Sequence, residues 1–343
     1  SSNERPVLVI HYLDGTTPLK ITPTCASSCP DFIGDGNGLS SPRLLDLNSN
    51  GTVDVAYAGD LKGNLWKFDL SSATPSAWSV AYSNKPYLVA KSPSNIRQPI
   101  TTAPYALPHP LGGVMLAFGT GRNITTDDPN PAGFGTDTMW GVWDNMTLSQ
   151  TAGIVTMTDS ALGVVNLGSD TTRPTTLVQQ TPSTATIDTD PDHHEFFDVS
   201  RNAVTYTTTA ATKRGWYLDW PKLGQRVIQN TQGFSSDRIL VFSGIPQSGT
   251  GASGETCNPT TVPAKAYISV FNLFSGNPSV TPVFSAVDSA MDLANKAIVE
   301  VSPGDRTMVI GPDKVKLVGA DGSSPSVKPG GGGGIRSNWR EYQ

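Results

Sequence analysis

The sequence predicts an all-β fold, a modified β-propeller with unequal blades and long loop insertions, and three observations carry that expectation. An apolar, aromatic-rich stretch that closes on an acidic or amide residue and a turn recurs as VLVIHYLDG, NLWKFDLSS, MWGVWDNMT, GWYLDWPKLG and YISVFNLFSG. Three of these stretches follow a second apolar run that ends near a glycine: VDVAYAGD before NLWKFDL, GVMLAFGTGR before MWGVWD, and RILVFSGI before YISVFNL. Apolar residues at the 3.6 spacing of a helix are almost absent, and only Val287 to Glu300 has helical character.

The closing residues are Asp14, Asp69, Asp144, Asp219 and Asn272, between 53 and 75 residues apart. Regular propeller blades repeat about every 40 to 50 residues, so these blades would be unequal and carry insertions. A strand, a tight turn and an aromatic strand closing on Asp give a hairpin that buries a sheet face against the next blade, with the Asp capping its turn. Hairpins of a β-sandwich show the same local pattern, because strand and turn spacing alone does not fix closure. Long polar insertions lie between the units, notably Thr125 to Asp137, Ser169 to Asp192 and Ile245 to Ala264. From these features, residues 1–318 are expected to form one propeller-like domain, or the later part of a larger propeller. Residues 319–343, with a run of five glycines from Gly330, read as a flexible linker and a basic-aromatic tail.

Composition narrows the partners. Of 343 residues, 24 are Lys or Arg and 29 are Asp or Glu, so no strong positive field attracts nucleic acid or anionic membranes. No run of about 18 or more apolar residues exists to span a bilayer. Of the three cysteines, Cys25 and Cys29 sit in a Pro-flanked, Ser-rich loop where a short bridge is sterically possible; free thiols or a metal pair are the other readings. Cys257 is left to pair outside this chain or not at all.

The most informative chemistry lies in DLNSNGTVD, from Asp46 to Asp54. Oxygen-bearing side chains fall on alternate residues at Asp46, Asn48 and Asn50. Gly51 permits a sharp turn, Thr52 offers its backbone carbonyl, and Asp54 closes the loop. Calcium takes six to eight hard oxygens in a flexible cage, and a turn with a ligand at every second residue supplies them from one short segment. Tyr57 occupies the position where an EF-hand carries its bidentate Glu, and Asp60 is the nearest further carboxylate. Only Asp46 and Asp54 bring formal charge, so the expected dissociation constant is about 10⁻⁴ M.

Other constellations are weaker. DTDPDHHEFFD places Asp188, Asp190, Asp192, His193, His194 and Glu195 close together, but neighbouring side chains on extended backbone point apart, and a solvated acidic loop is expected. No Ser stands in a nucleophile elbow, and GTGR at Gly119 to Arg122 lacks the phosphate-loop pattern. No catalytic residue is assigned, and the chain is read as a non-enzyme.

The stretch NGLSSPRLLDLNSNGTVDVAYAGDLKGNLWKFDLSS, from Asn37 to Ser72, resembles the signature segment of the PilY/PilC family of type IV pilus tip-associated biogenesis factors and adhesins. RQPITTAPYALPHPLGGVMLAFGTGRNI, MWGVWDN, RGWYLDWP, YISVFNLFSG and IRSNWRE follow in the order found in that family's C-terminal domain. The resemblance implies a modified propeller, exported through the periplasm to the pilus tip or outer cell surface. It also implies a calcium loop at Asp46, Asn48, Asn50, Thr52 and Asp54 that supports pilus extension against retraction, with Asn at two positions where Asp is more usual. Implied partners are minor pilins or the tip complex, host or abiotic surfaces, and an upstream part of the same polypeptide. YAGDLKGNLWKFDLSS is also similar to the repeat of quinoprotein propellers, so a quinone-dependent dehydrogenase is the alternative, with a purely structural extracellular scaffold as a third reading.

Overall fold

The computed structural model describes residues 5–23, 36–125, 128, 135–151, 154–165, 173–187, 194–208, 213–235, 237–246, 248–249, 261–262, 264–279, 283–284, 295–301, 307–310, 315–318 and 326–327. Short β1 (Leu8–Ile10) and β2 (Leu19–Ile21) pair with each other. The first large sheet runs β3 (Arg43–Leu45), β4 (Val55–Gly59), β5 (Asn64–Asp69) and β6 (Ser79–Val80), with β7 (Leu88–Val89) also on β5. The second contains β8 (Tyr105–Pro108), β9 (Val114–Gly119), β10 (Thr138–Asp144), β13 (Val178–Gln180) and β16 (Gly215–Asp219), in the order β13-β16-β10-β9-β8. Beside it lies the hairpin of β11 (Thr147–Thr151) and β12 (Ile154–Thr158).

A third large sheet is ordered β14-β15-β22-β21-β18-β17. Its strands are β14 (Thr186–Ile187), β15 (Glu195–Asp198), β17 (Gln232–Ser235), β18 (Arg238–Ile245), β21 (Lys265–Asn272) and β22 (Lys296–Val301). β19 (Ser248–Gly249) pairs with β20 (Thr261–Val262). β23 (Thr307–Ile310), β24 (Val315–Val318) and β25 (Ser326–Val327) form a last small sheet. All three glycine-linked pairs expected from sequence form antiparallel ladders: β4 with β5, β9 with β10, and β18 with β21.

Alternation along these strands shows how the sheets stack. On β4, Val55 and Tyr57 face a core shared with Leu116, Phe118, Trp140 and Val142 of the second sheet. Their neighbours Ala56 and Ala58 turn the other way, to a core with Trp66, Phe68 and the β1–β2 pair. The second sheet repeats the arrangement: Met115, Ala117, Met139, Trp143 and Trp216 pack against Ile239, Val241, Tyr267 and Phe271 of the third. Successive side chains of a strand point to opposite faces, so each sheet is buried on both sides, as blades packed face to face require. This explains why the strands read as near-continuous apolar runs instead of clean alternations.

Two expectations change. Lys296 to Glu300, the end of the stretch given helical character, lies in β22, where Ile298 and Val299 pair with Ser269 and Ile268. β-branched residues with buried neighbours on both faces outweigh the local helical tendency there. The closing acids also differ in use. Asp14, Asp69, Asp144 and Asn272 cap their own turns, accepting from the Thr16, Ser71, Met146 and Phe274 amides; Asp144 also accepts from the Tyr57 hydroxyl of another strand, whereas Asp219 binds the Arg173 and Thr138 side chains of other elements. Most of 319–343 lies outside the described residues; within it, Ser326–Val327 pairs with β24.

Candidate metal loop and its surroundings

The loop from Asp46 to Asp54 joins β3 to β4 at the edge of the first sheet. Its base is fixed by the Asp54 amide donating to the Leu45 carbonyl (2.9 Å) and by the Leu70 amide donating to the Asp54 carbonyl (2.9 Å). Ser49 (φ 59°) and Gly51 (φ 88°) adopt left-handed conformations, which fold nine residues into a tight concave turn.

The side chains expected to bind metal all turn onto this turn. Asp46 accepts from the Asn50 amide through Oδ1 (3.2 Å) and from the Gly51 amide through Oδ2 (2.8 Å). Asn48 Oδ1 also accepts from the Asn50 amide (3.0 Å), and Asn50 Oδ1 accepts from the Thr52 amide (2.8 Å) and hydroxyl. Asp54, 1% exposed, accepts from the Leu47 amide through Oδ2 (2.7 Å), and Asn48 Nδ2 donates to its Oδ1 (3.5 Å). The donor set is therefore two carboxylates and two carboxamides, all hard oxygens held in place by hydrogen bonds; Asn50 Oδ1, which accepts from both the Thr52 amide and hydroxyl, must release one of them to meet a cation. That chemistry fits calcium. Among the described residues no group of three or more His, Cys, Asp or Glu is placed to hold a metal ion, so a cation in this loop would depend on carboxamide and carbonyl oxygens beside the two carboxylates.

Asp60 does not belong to this loop. It lies at the far end of β4, about 20 Å from Asp54 at roughly 3.3 Å per residue. There it is 0% exposed and fully engaged. Oδ1 accepts from the Lys62 and Asn64 amides, and Oδ2 from Asn64 Nδ2, Trp66 Nε1 and Asn37 Nδ2. Tyr57 is likewise committed elsewhere, donating to Asp144 Oδ2 (2.8 Å).

Cys25, Cys29 and Cys257 lie outside the described residues, as do Asp188, Asp190, Asp192 and His193. Glu195, expected in a solvated loop, instead sits on β15, where Lys222 (2.6 Å), Lys265 (3.6 Å) and the Tyr267 hydroxyl (3.0 Å) surround it. These partners hold its carboxyl below the usual range despite burial.

Sequence reasoning missed two features near the loop. An apolar groove of about 810 Å³ borders it, lined by Leu8, Val9, Leu44, Val53 and Trp78, with Asn50 and Thr52 of the loop at its rim. Two of these side chains are well exposed, Val9 at 43% and Leu44 at 51%. Second, the lysine of NLWKFD is fully buried in an ion-paired cluster with Asp144 and Asp159. Its only sequence signal is a charge in the middle of an apolar strand.

Stacked, largely antiparallel sheets with an oxygen-rich loop at the edge define a β-propeller protein with a candidate calcium site. The family model described as the PilY1 beta-propeller domain matches residues 31–174, a span that includes the loop. The chain is 35% identical over 171 residues to the type IV pilus biogenesis factor PilY1 of Pseudomonas aeruginosa PAO1, covering 45% of this chain and 14% of that protein. It is 39% identical over 114 residues to a PilY1 homologue of Xylella fastidiosa, covering 32% of this chain and 8% of that protein. In structure it is similar to the crystallised C-terminal domain of Pseudomonas aeruginosa PilY1, with a TM-score of 0.68 at 23% identity over 95% of this chain and 67% of that one. Residues 31–174 are thus similar to the PilY1 propeller domain, and the fold is similar to that of the PilY1 C-terminal domain. The chain spans only a small fraction of the length of these full-length relatives.

Proposed function

We propose that this chain is the C-terminal propeller of a type IV pilus biogenesis factor, and that the Asp46–Asp54 loop binds calcium and sets the shape of a partner-binding edge. The observation that carries this reading is convergence: the Asp46, Asn48, Asn50 and Asp54 side chains fold onto one turn within the segment matched to the PilY1 propeller. Calcium would be held by Asp46, Asn48, Asn50, the Thr52 carbonyl and Asp54, and it would supply a positive charge that neutralises the two carboxylates. Asn50 and Thr52 serve both the loop and the rim of the apolar groove. Drawing Asn50 Oδ1 from the Thr52 amide onto a cation therefore alters the groove mouth directly. A ligand that favours one loop conformation shifts the population of that conformation.

The partner in this reading is a pilin-like subunit of the tip complex, with host or abiotic surfaces met elsewhere on the assembly. The location is extracellular, and the role is non-enzymatic support of pilus extension and adhesion. Among the described residues no helix is long and apolar enough to cross a membrane. The test is complementation of a strain lacking its own factor, using the parent protein with Asp46→Ala and Asp54→Ala. Loss of surface pili with normal protein levels is expected; full piliation would refute a calcium-dependent role.

A further inference from the structure

The buried cluster between the first two sheets has a geometry that an ordinary ion pair does not need. Lys67 Nζ lies 3.0 Å from Asp144 Oδ2 and 3.1 Å from Asp159 Oδ1, and the Lys67 and Asp144 side chains are both 0% exposed. Both oxygens of Asp144 are gripped by phenols: Tyr57 donates to Oδ2 (2.8 Å) and Tyr82 to Oδ1 (2.6 Å). Burial and the adjacent carboxylate raise both phenols above their ordinary pKa, so they act only as donors. Tyr82 also orients Asp159, whose Oδ2 accepts from the Tyr82 amide (2.7 Å). Delivering Tyr82 requires three successive non-glycine residues, Tyr82, Ser83 and Asn84, in left-handed conformations (φ 53°, 56° and 63°). Such conformations are strained for residues that carry a Cβ and persist where the surroundings enforce them. Two carboxylates around one ammonium leave a net negative charge in a largely apolar interior, where removing ions from water is costly.

We propose that Lys67 and Asp144 are a cross-linking site, at which an amide bond forms between Lys67 Nζ and Asp144 Cγ with Asp159 as the proton carrier. The Lys67 ammonium gives a proton to Asp159, and the freed nitrogen lone pair attacks Asp144 Cγ. Tyr57 and Tyr82 hold the two oxygens of the tetrahedral centre as negative charge gathers there. One C–O bond then breaks. The departing oxygen takes the proton held by Asp159 and one of the two remaining on nitrogen, and it leaves as water. An ammonium and a carboxylate become a neutral secondary amide plus water, so no oxidant, nucleotide or other co-reactant is needed. Fixing nucleophile and electrophile in contact supplies effective molarities of about 10⁵–10⁸ M, the usual means by which such intramolecular reactions outrun their solution counterparts. Asp159, with its side chain 33% exposed, marks the side from which water escapes.

The bond would bolt β5 of the first sheet to the end of β10 in the second. In a protein at the end of a filament, it would carry pulling force that the sheet interface alone would not. That mechanical use rests on the proposed pilus function; the cross-link itself does not.

Intact-mass spectrometry of the purified chain, denatured and reduced, tests the proposal. The expected mass is below the sequence mass by one water, trypsin fails to cleave after Lys67, and a branched peptide joins the segments containing Lys67 and Asp144. Lys67→Arg keeps the cation but cannot form this amide, and Asp159→Asn removes the proton carrier; both are expected at full mass. Unmodified wild-type mass with normal cleavage at Lys67 overturns the proposal. Loss of water that persists in Lys67→Arg also overturns it, by placing the dehydration elsewhere. A complete cross-link in Asp159→Asn overturns the role given to Asp159.

Discussion

Replacing Asp54 with alanine separates the two roles of the loop. Asp54 is buried, and its Oδ2 satisfies the Leu47 amide at the base of the turn. Without metal, losing a hydrogen bond to a charged acceptor and leaving that amide unpaired costs about 1.5–3 kcal/mol. With metal the larger difference lies in the response to calcium. For a site of about 10⁻⁴ M, about 10 mM calcium lies a hundredfold above the dissociation constant and stabilises the native state by about 2.7 kcal/mol. At about 2.1 cal/mol/K per residue, a chain of this length has an unfolding entropy of roughly 0.7 kcal/mol/K, so calcium raises Tm by about 4 °C. Scanning calorimetry in calcium, magnesium and chelator reads this directly. The parent should shift with calcium and Asp54→Ala should not, while melting lower than the parent in chelator. An equal calcium shift in the variant would refute the ligand assignment.

Further predictions follow from the packing. Asp60→Ala removes the acceptor of five hydrogen bonds, four of them buried, and should lower the unfolding free energy by more than about 3 kcal/mol in denaturant titrations, with calcium affinity unchanged. Gly113→Ala would place a Cβ 2.1 Å from the Asp144 carbonyl at a φ of +70°, so soluble expression should fall sharply; near-normal yield would contradict the packing at that turn. His109 stacks on Trp143 at 4.4 Å, and its Nδ1 accepts from the Leu111 amide, so burial lowers its pKa from 6.5 to about 4. The unfolded chain therefore takes up this proton first as pH falls. The neutral ring's contribution is complete above about pH 6.5 and is lost between 6.5 and 4. His109→Phe should flatten that part of the stability curve relative to the parent.

Strand identity was legible because local and global demands agree. NLWKFD and MWGVWD are apolar on both faces, and both faces are buried between sheets. The five-part repeat pointed to hairpins, and all three glycine-linked ladders formed in register. Lys296 to Glu300 misled because a short stretch reads as helix or strand alike until its neighbours are known. The loop was legible for the opposite reason: its donors come from consecutive residues, so spacing alone brings them together. The Lys67 cluster could not be found that way. Asp144 and Asp159 reach Lys67 from other elements, and sequence shows only that a charged residue interrupts an apolar strand. Asp60, the nearest further carboxylate in the chain, is carried away from the loop by the extended strand β4 between it and Asp54.

Isothermal titration of calcium into the purified chain tests the central claim most directly. A single saturable site is expected, with a dissociation constant of about 10⁻⁴ M, and Asp46→Ala should remove the saturable heat. Absence of saturable binding in the parent, or unchanged affinity in Asp46→Ala, would contradict the assignment of calcium to this loop.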